Sequence, residues 1–267
     1  MGARILLIAA IFVSYVSSFG PSVTFSPRTN TRLHVEELDG NPEYKKVFVA
    51  GGTKGVGKHI VDILSKEGVE VVALARTDEA VDSLNAIPGV KGIKGDAFDY
   101  KSVEDNMWGC DACITTLGGM TEDRRVDYEG NNNVIEAAGI LGVTRVVLVT
   151  SIGCGDSKDA APPAVFEALK DVLKDKEKAE RVLQRYYTNM NWTIIRPGGL
   201  KSEPSTGKAI ITEDNKAIGS IHREDVAKLT VQALKSFKTK KKVLSVMDPS
   251  IGGNAAPEVS AEEFALN

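Results

Sequence analysis

From Lys45 onward, short β-branched runs alternate with helix-length stretches, and the first turn between them is built largely of glycine. The runs expected as strands are Val47 to Ala50, Val69 to Leu74, Val90 to Ile93, Ala112 to Thr116, Arg145 to Thr150, Trp192 to Ile195 and Val243 to Val246. Between them the apolar spacing predicts helices over Gly55 to Lys66, Asp78 to Leu84, Val103 to Trp108, Val126 to Leu141, Ala164 to Tyr187 and Glu224 to Ser236. Strands this apolar need cover on both faces, and crossovers of this length make right-handed βαβ units. The expectation is an α/β fold: a doubly wound parallel sheet with its ligand crevice at the carboxyl ends of the strands.

The turn after the first strand reads Gly51-Gly52-Thr53-Lys54-Gly55-Val56-Gly57. A side chain at Gly51 or Gly55 would strain so tight a strand-to-helix turn, and would keep a pyrophosphate from the N–H groups of the helix start. Gly57 lets the helix pack close to the strand. A glycine run that follows an apolar strand and opens a helix predicts a Rossmann-type dinucleotide site, with Thr53, Lys54 and Val56 supplying the rest of the turn.

The second strand ends at Arg76, where an NAD-specific protein places an acid for the ribose hydroxyls. A guanidinium there pairs with a 2′-phosphate, and Lys54 adds charge on the same side, so the expected cofactor is NADP(H). Asp96, after the third strand, is positioned for the adenine amine or for a turn cap. Thr116, Leu117 and Gly118 close the fourth strand beside the ribose and nicotinamide. Arg196, Pro197 and Gly198 close the sixth, with their backbone toward the carboxamide.

These residues resemble the short-chain dehydrogenase/reductase superfamily over nearly all of 45–250. The likeness extends through Gly95-Asp96, Val126 to Gly130 with Asn132 and Asn133, Val149 to Gly153, Lys176 with Glu180, Trp192 to Leu200, and Ile221 to Ala227. The series is similar to the atypical branch, NmrA-like and biliverdin/flavin-reductase-like, including plastid members. In that superfamily a Ser orients the substrate carbonyl, a Tyr moves the proton and a Lys holds the ribose. The resemblance assigns Ser151 and Lys176 to the first and last of these roles. Val172 stands four residues before Lys176, where the Tyr belongs, and the long helix contains no Tyr-x-x-x-Lys.

Hydride transfer needs a bound nicotinamide and an electrophile held against it, so a conjugated acceptor such as a flavin, quinone or tetrapyrrole remains compatible. Simple alcohols and ketones are not expected substrates. The alternative is a non-catalytic NAD(P)H-binding regulatory or assembly protein of the plastid.

Residues 1–18 read as a secretory signal peptide: Arg4, then an apolar run from Ile5 to Val16, then Ser17-Ser18. Residues 19–40 follow as a transit-peptide-like segment, the chain's first acid being Glu36. Together they resemble two-part plastid presequences, in which Phe19 follows the first cleavage point. The expected location is therefore the plastid stroma, the secretory pathway being the alternative, with no stable membrane span after processing. Removing 1–35 takes away three arginines and no acids, leaving 30 basic against 36 acidic residues. That balance argues against a nucleic-acid partner and for a small-molecule one. The expected domain spans 43–250 with a small C-terminal substrate region, and 251–267 is a tail. Oligomeric state is not legible in this pattern.

Three cysteines make no disulfide framework. Cys110 and Cys113 have redox spacing, but Cys113 falls in an apolar strand and reads as packing, whereas Cys154 lies beside the expected site. No metal site is expected. His59 has no partner, and His222 and Asp225 read as packing and helix-start residues. Arg124 and Arg125 sit at the crevice mouth, either as plain surface or as a clamp for an acidic substrate. Lys238, Lys240, Lys241 and Lys242 read as a solvated face, and substrate specificity is assigned to Lys201 to Gly219.

Overall fold

The computed structural model describes residues 43–121, 123–251 and 262–266. The signal- and transit-like segments lie outside the described residues. The chain runs through β1 (Lys46–Ala50), α1 (Gly55–Lys66), β2 (Glu70–Ala75), α2 (Asp78–Asn85), β3 (Val90–Lys94), α3 (Tyr100–Met107) and β4 (Ala112–Thr115). A small hairpin, β5 (Met120–Thr121) and β6 (Arg124–Arg125), precedes α4 (Glu129–Leu141), β7 (Arg145–Val149) and α5 (Pro163–Tyr186). Then come β8 (Asn191–Pro197), β9 (Gly199–Lys201), β10 (Ile210–Thr212), β11 (Ser220–His222), α6 (Arg223–Lys235) and β12 (Lys242–Met247).

Eight strands form one sheet in the order β10-β12-β8-β7-β4-β1-β2-β3. Only β10 runs antiparallel to its neighbour. The chain lays β2 and β3 on one side of β1, then returns to place β4 on the other. Strand order therefore reverses between β1 and β4, and the loops that leave them diverge at Gly51 and Thr116. A ligand crevice opens at such a reversal.

Alternation along each strand divides the core. Val47 and Val49 face α1 and α6 with Ile60, Leu64 and Val226. Phe48 and Ala50 face the other layer with Val103, Ile135 and Leu183. Local chemistry sets several ends: Thr77 and Asp99 cap α2 and α3, and Gly142 closes α4 with φ at 75°.

Three features differ from the sequence expectation. The fourth helix starts at Glu129, not Val126, because Met120–Thr121 and Arg124–Arg125 pair as a hairpin and the Asp127 carboxylate accepts the Gly119 N–H. The sheet ends on an antiparallel edge. Of the expected tail, residues 262–266 lie against the fold: Phe264 N–H donates to Ile211 O at 2.7 Å, covering part of that edge, and the Leu266 carbonyl accepts from Ser236 Oγ.

Arg145 is the largest fully buried side chain. Its guanidinium donates to the carbonyls of Asn191, Ala233 and Leu234 and to the hydroxyls of Thr193 and Thr239, tying β7 and β8 to the end of α6. Burial pulls its pKa down to about 10, so it stays a cation at neutral pH.

Candidate functional site

The crevice at the β1/β4 reversal is a cleft of about 510 Å³. One wall is backbone and positive charge. Gly51 holds φ at 86°, and a Cβ there would lie 2.6 Å from Thr116 Oγ1. A Cβ on Gly57 would lie 2.1 Å from Gly51 O, so α1 meets the turn at a distance only glycine allows. No side chain caps α1, and its first turn carries no acid. The helix start thus offers N–H groups and the positive dipole end to an anion. Lys54 and Arg76 line this wall, Gly55 and Val56 with them.

Arg223, the first residue of α6, also lines the cleft. A Cβ on Gly55 would meet its Cδ and Nε at 3.9 Å, and Nη1 donates to Ser202 Oγ at 2.7 Å. Sequence reasoning missed this third cation, because only the contact of α1 with α6 carries it across to the glycine turn. The wall ends at Asp96, whose carboxylate accepts from Phe98 N–H at 2.9 Å and so also shapes its own turn.

The other wall is apolar. Leu169, Val172, Leu173 and Lys176 recur on one face of α5, and Met120 and Leu200 face them across the opening. Met120, Leu169 and Leu200 are exposed. Val172 occupies the cleft face one turn before Lys176, so no phenol stands there. Arg124, at the rim, is ion-paired to Glu129 and lies 4.1 Å from the Phe98 ring centroid.

Two polar side chains interrupt this wall. Ser151 lines the cleft with its hydroxyl donating to the Ile152 carbonyl at 3.0 Å. Lys176 Nζ lies 3.0 Å from Asp127 Oδ1 and 3.3 Å from Leu117 O. Asp127 is fully buried, and its other oxygen accepts from Gly119 N–H at 3.0 Å. The Lys176 contact to Oδ1 is an ion pair, and Oδ1 accepts no hydrogen bond. A Cβ on Gly118 would sit 2.9 Å from Lys176 Nζ, so that glycine makes room for the pair. Asp127 was not among the sequence-predicted residues; nothing local marks it as a lysine partner.

Arg196, whose backbone was expected at the cleft, does not line it with its side chain. Its guanidinium is buried behind the wall, where Nε and Nη2 make a two-point pair with Glu180 at 3.1 and 2.7 Å, and Nη1 pairs with Asp156. Glu180 Oε1 also accepts from Thr150 Oγ1 at 2.6 Å. Pro197 does line the cleft. Gly198 packs instead on Gly219, where a Cβ would lie 2.1 Å from the carbonyl oxygen. Cys154 is buried, its thiol 3.6 Å from Leu173 O, and burial pushes its pKa up to about 12; it is no nucleophile at neutral pH. Cys110, pushed up to about 11 by burial, and the fully buried Cys113 are packing residues too.

The model for an NAD(P)H-binding family matches residues 51–237. The chain belongs to this family. Its members' cofactor fits what the cleft presents: an uncapped helix start behind glycines that a Cβ would fill, with three cations around it. A chloroplastic protein of Arabidopsis thaliana, At2g34460, is 31% identical over 90% of this chain and 89% of its own length. The chloroplastic protein TIC 62 of Pisum sativum is 28% identical over 76% of this chain and 43% of its own. Among solved structures, ChuY of Escherichia coli O157:H7, described as an anaerobilin reductase, superposes with a TM-score of 0.71. It is 30% identical and covers 78% of this chain and 99% of its own. The chain is an atypical short-chain dehydrogenase/reductase-like, NAD(P)H-binding protein.

Proposed function

We propose that this protein is an NADPH-dependent reductase of a flat, conjugated acceptor of the flavin, quinone or tetrapyrrole class. The observation that carries the reading is the apolar wall of α5, with Val172 where a proton-donating phenol would stand. A π-system packs on such a surface over a large area, whereas a small ketone gains little there and lacks its acid. The likeness to ChuY supports the same class.

Bound NADPH supplies a hydride. Lys54, Arg76 and Arg223 hold its phosphates, and Arg76 at the end of β2 favours the 2′-phosphate over a bare ribose. Lys176, with one contact to Asp127 and one to Leu117 O, keeps an N–H for a ribose hydroxyl. The Ser151 hydroxyl turns from the Ile152 carbonyl to a polar atom of the acceptor. Leu169, Val172 and Leu173 set the plane of the acceptor and exclude water from that face. The proton that balances the hydride comes from solvent at the exposed rim.

The test is titration of the full chain with NADPH and NADH, followed by NADPH oxidation with flavins, quinones and bilins. Tighter binding of NADPH and turnover of at least one conjugated acceptor are expected. Binding without any turnover would replace this reading with that of an NADPH-holding protein, the role Val172 also permits. We place the protein in the plastid, supported by the acid-poor residues 1–35 and by the chloroplastic relatives. Residues 1–40 fused to a fluorescent reporter should direct it there.

A further inference from the structure

Outside the cleft, among the described residues, one cluster joins a histidine to two carboxylates: His222 at the end of β11, Asp225 in the first turn of α6, and Asp248 just after β12. All three are buried, at 7%, 2% and 1% exposure. One ligand atom from each lies within 4.8 Å of the others. His222 Nδ1 is buried and has no hydrogen-bond partner. Asp225 Oδ2 lies 3.8 Å from it, too far for a hydrogen bond.

The carboxylates are held in place by other donors. Asp225 accepts from Ser205 Oγ and from Thr206 N–H at 3.1 Å. Asp248 accepts from Thr206 Oγ1 and from Ser250 N–H and Oγ at 2.8 and 2.7 Å. The lysine beside them, Lys228, is spent on Glu224 at 2.9 Å and on Ser205 Oγ at 2.8 Å. Among the described residues, no arginine or lysine forms an ion pair with either carboxylate. Two buried acids and an imidazole nitrogen without a hydrogen bond converge on one point, an arrangement that a cation would complete; Glu203, 3.7 Å from His222 Nε2, adds a further acid at the edge. The positive end of α6 offsets part of that charge, but its roughly half unit is well short of two carboxylates.

We propose that His222 Nδ1, Asp225 and Asp248 bind a divalent cation of the zinc or manganese kind. One imidazole and two carboxylates suit such borderline and hard cations, and burial limits the site to a single small ion. Metal–ligand bonds of about 2.0–2.2 Å require the three atoms to draw in from their present separations of up to 4.8 Å. The ion clamps the Ser205–Thr206 loop, β11 and β12 onto the start of α6. It thereby fixes Arg223, one residue after His222, against the glycine turn. Its role is structural, and it takes no part in hydride transfer.

The experiment uses chelator-treated full chain, titrated with Zn²⁺ by calorimetry and with Mn²⁺ by electron paramagnetic resonance, alongside thermal melting. One equivalent of ion per chain is expected, with a rise of several degrees in Tm. His222→Gln and Asp248→Asn should each weaken binding at least tenfold and remove that rise. The proposal is overturned if neither ion binds stoichiometrically, or if both variants bind as the parent does. Should the variants fail to fold, pulsed resonance on the Mn²⁺-loaded parent decides: imidazole nitrogen coupling is required, and its absence overturns the site. None of these readouts depends on turnover.

Discussion

The two walls of the cleft are made of opposite materials. On the cofactor side, backbone N–H groups, three cations and glycines approach one another so closely that a methyl group would not fit. On the substrate side, leucine, valine and methionine side chains present an apolar surface interrupted by Ser151 and Lys176. The first wall recognises charge through geometry set within a few residues of sequence. The second offers area, and lacks the phenol that its position before Lys176 could carry. The contrast separates the two tasks on one scaffold: cofactor binding falls to a turn whose glycines leave no room for a methyl group, and, on the proposed function, substrate choice falls to a helix face.

The largest effect should come from breaking the support of the substrate wall. Glu180→Ala leaves Arg196 buried beside Asp156 alone and leaves the Thr150 hydroxyl only its long contact of 3.5 Å to the Ile195 carbonyl. A loss of about 3–5 kcal/mol in unfolding free energy is expected by denaturant titration. Folded protein at low denaturant should still bind NADPH within tenfold of the parent, because the glycine turn is untouched.

Next is the cofactor wall itself. Gly57→Ala drives a methyl group toward Gly51 O, and overpacking of this kind costs about 1–3 kcal/mol. NADPH affinity should fall roughly ten- to hundredfold in a fluorescence titration. An unchanged affinity would mean that the close contact of helix and turn does not shape the site.

Arg76→Ala sharpens the comparison by touching charge without touching packing. Loss of a charge-assisted contact to phosphate is worth about 1.5–3 kcal/mol, so NADPH should bind some ten- to hundredfold more weakly while NADH changes little. Equal losses for both cofactors would remove Arg76 from 2′-phosphate recognition.

The smallest expected change is a gain. Val172→Tyr puts a phenol on the cleft face one turn before Lys176. The parent is expected not to reduce simple ketones, and weak reduction of them should appear in an NADPH-oxidation assay of the variant. If the variant folds and binds NADPH but remains inactive toward ketones, the missing phenol is not what sets the substrate class.

Most strands and helices were legible because their signals are local. β-branched runs bounded by glycine marked β1 to β4, and α1 matched its expected ends at Gly55 and Lys66 because a glycine turn opens it. The hairpin before α4 was not legible: its register depends on Asp127 reaching back to Gly119, a contact no periodicity encodes. The Arg196 side chain was not legible for the same reason. Only its backbone was expected at the cleft, and its guanidinium is tied to Glu180 of α5, a pairing that no local pattern encodes.

What the sequence determined by itself was the doubly wound topology, the anion-binding turn, the positive charge at its rim and the absence of a tyrosine before Lys176. Each is a matter of residue type within a few positions, where sterics and backbone geometry leave little choice. Only the tertiary structure decided that Arg223 joins that rim, that Asp127 holds Lys176, and that His222, Asp225 and Asp248 converge in the interior. Those contacts join residues from separate elements, and their positions follow from how helices and strands pack into one core rather than from any local preference.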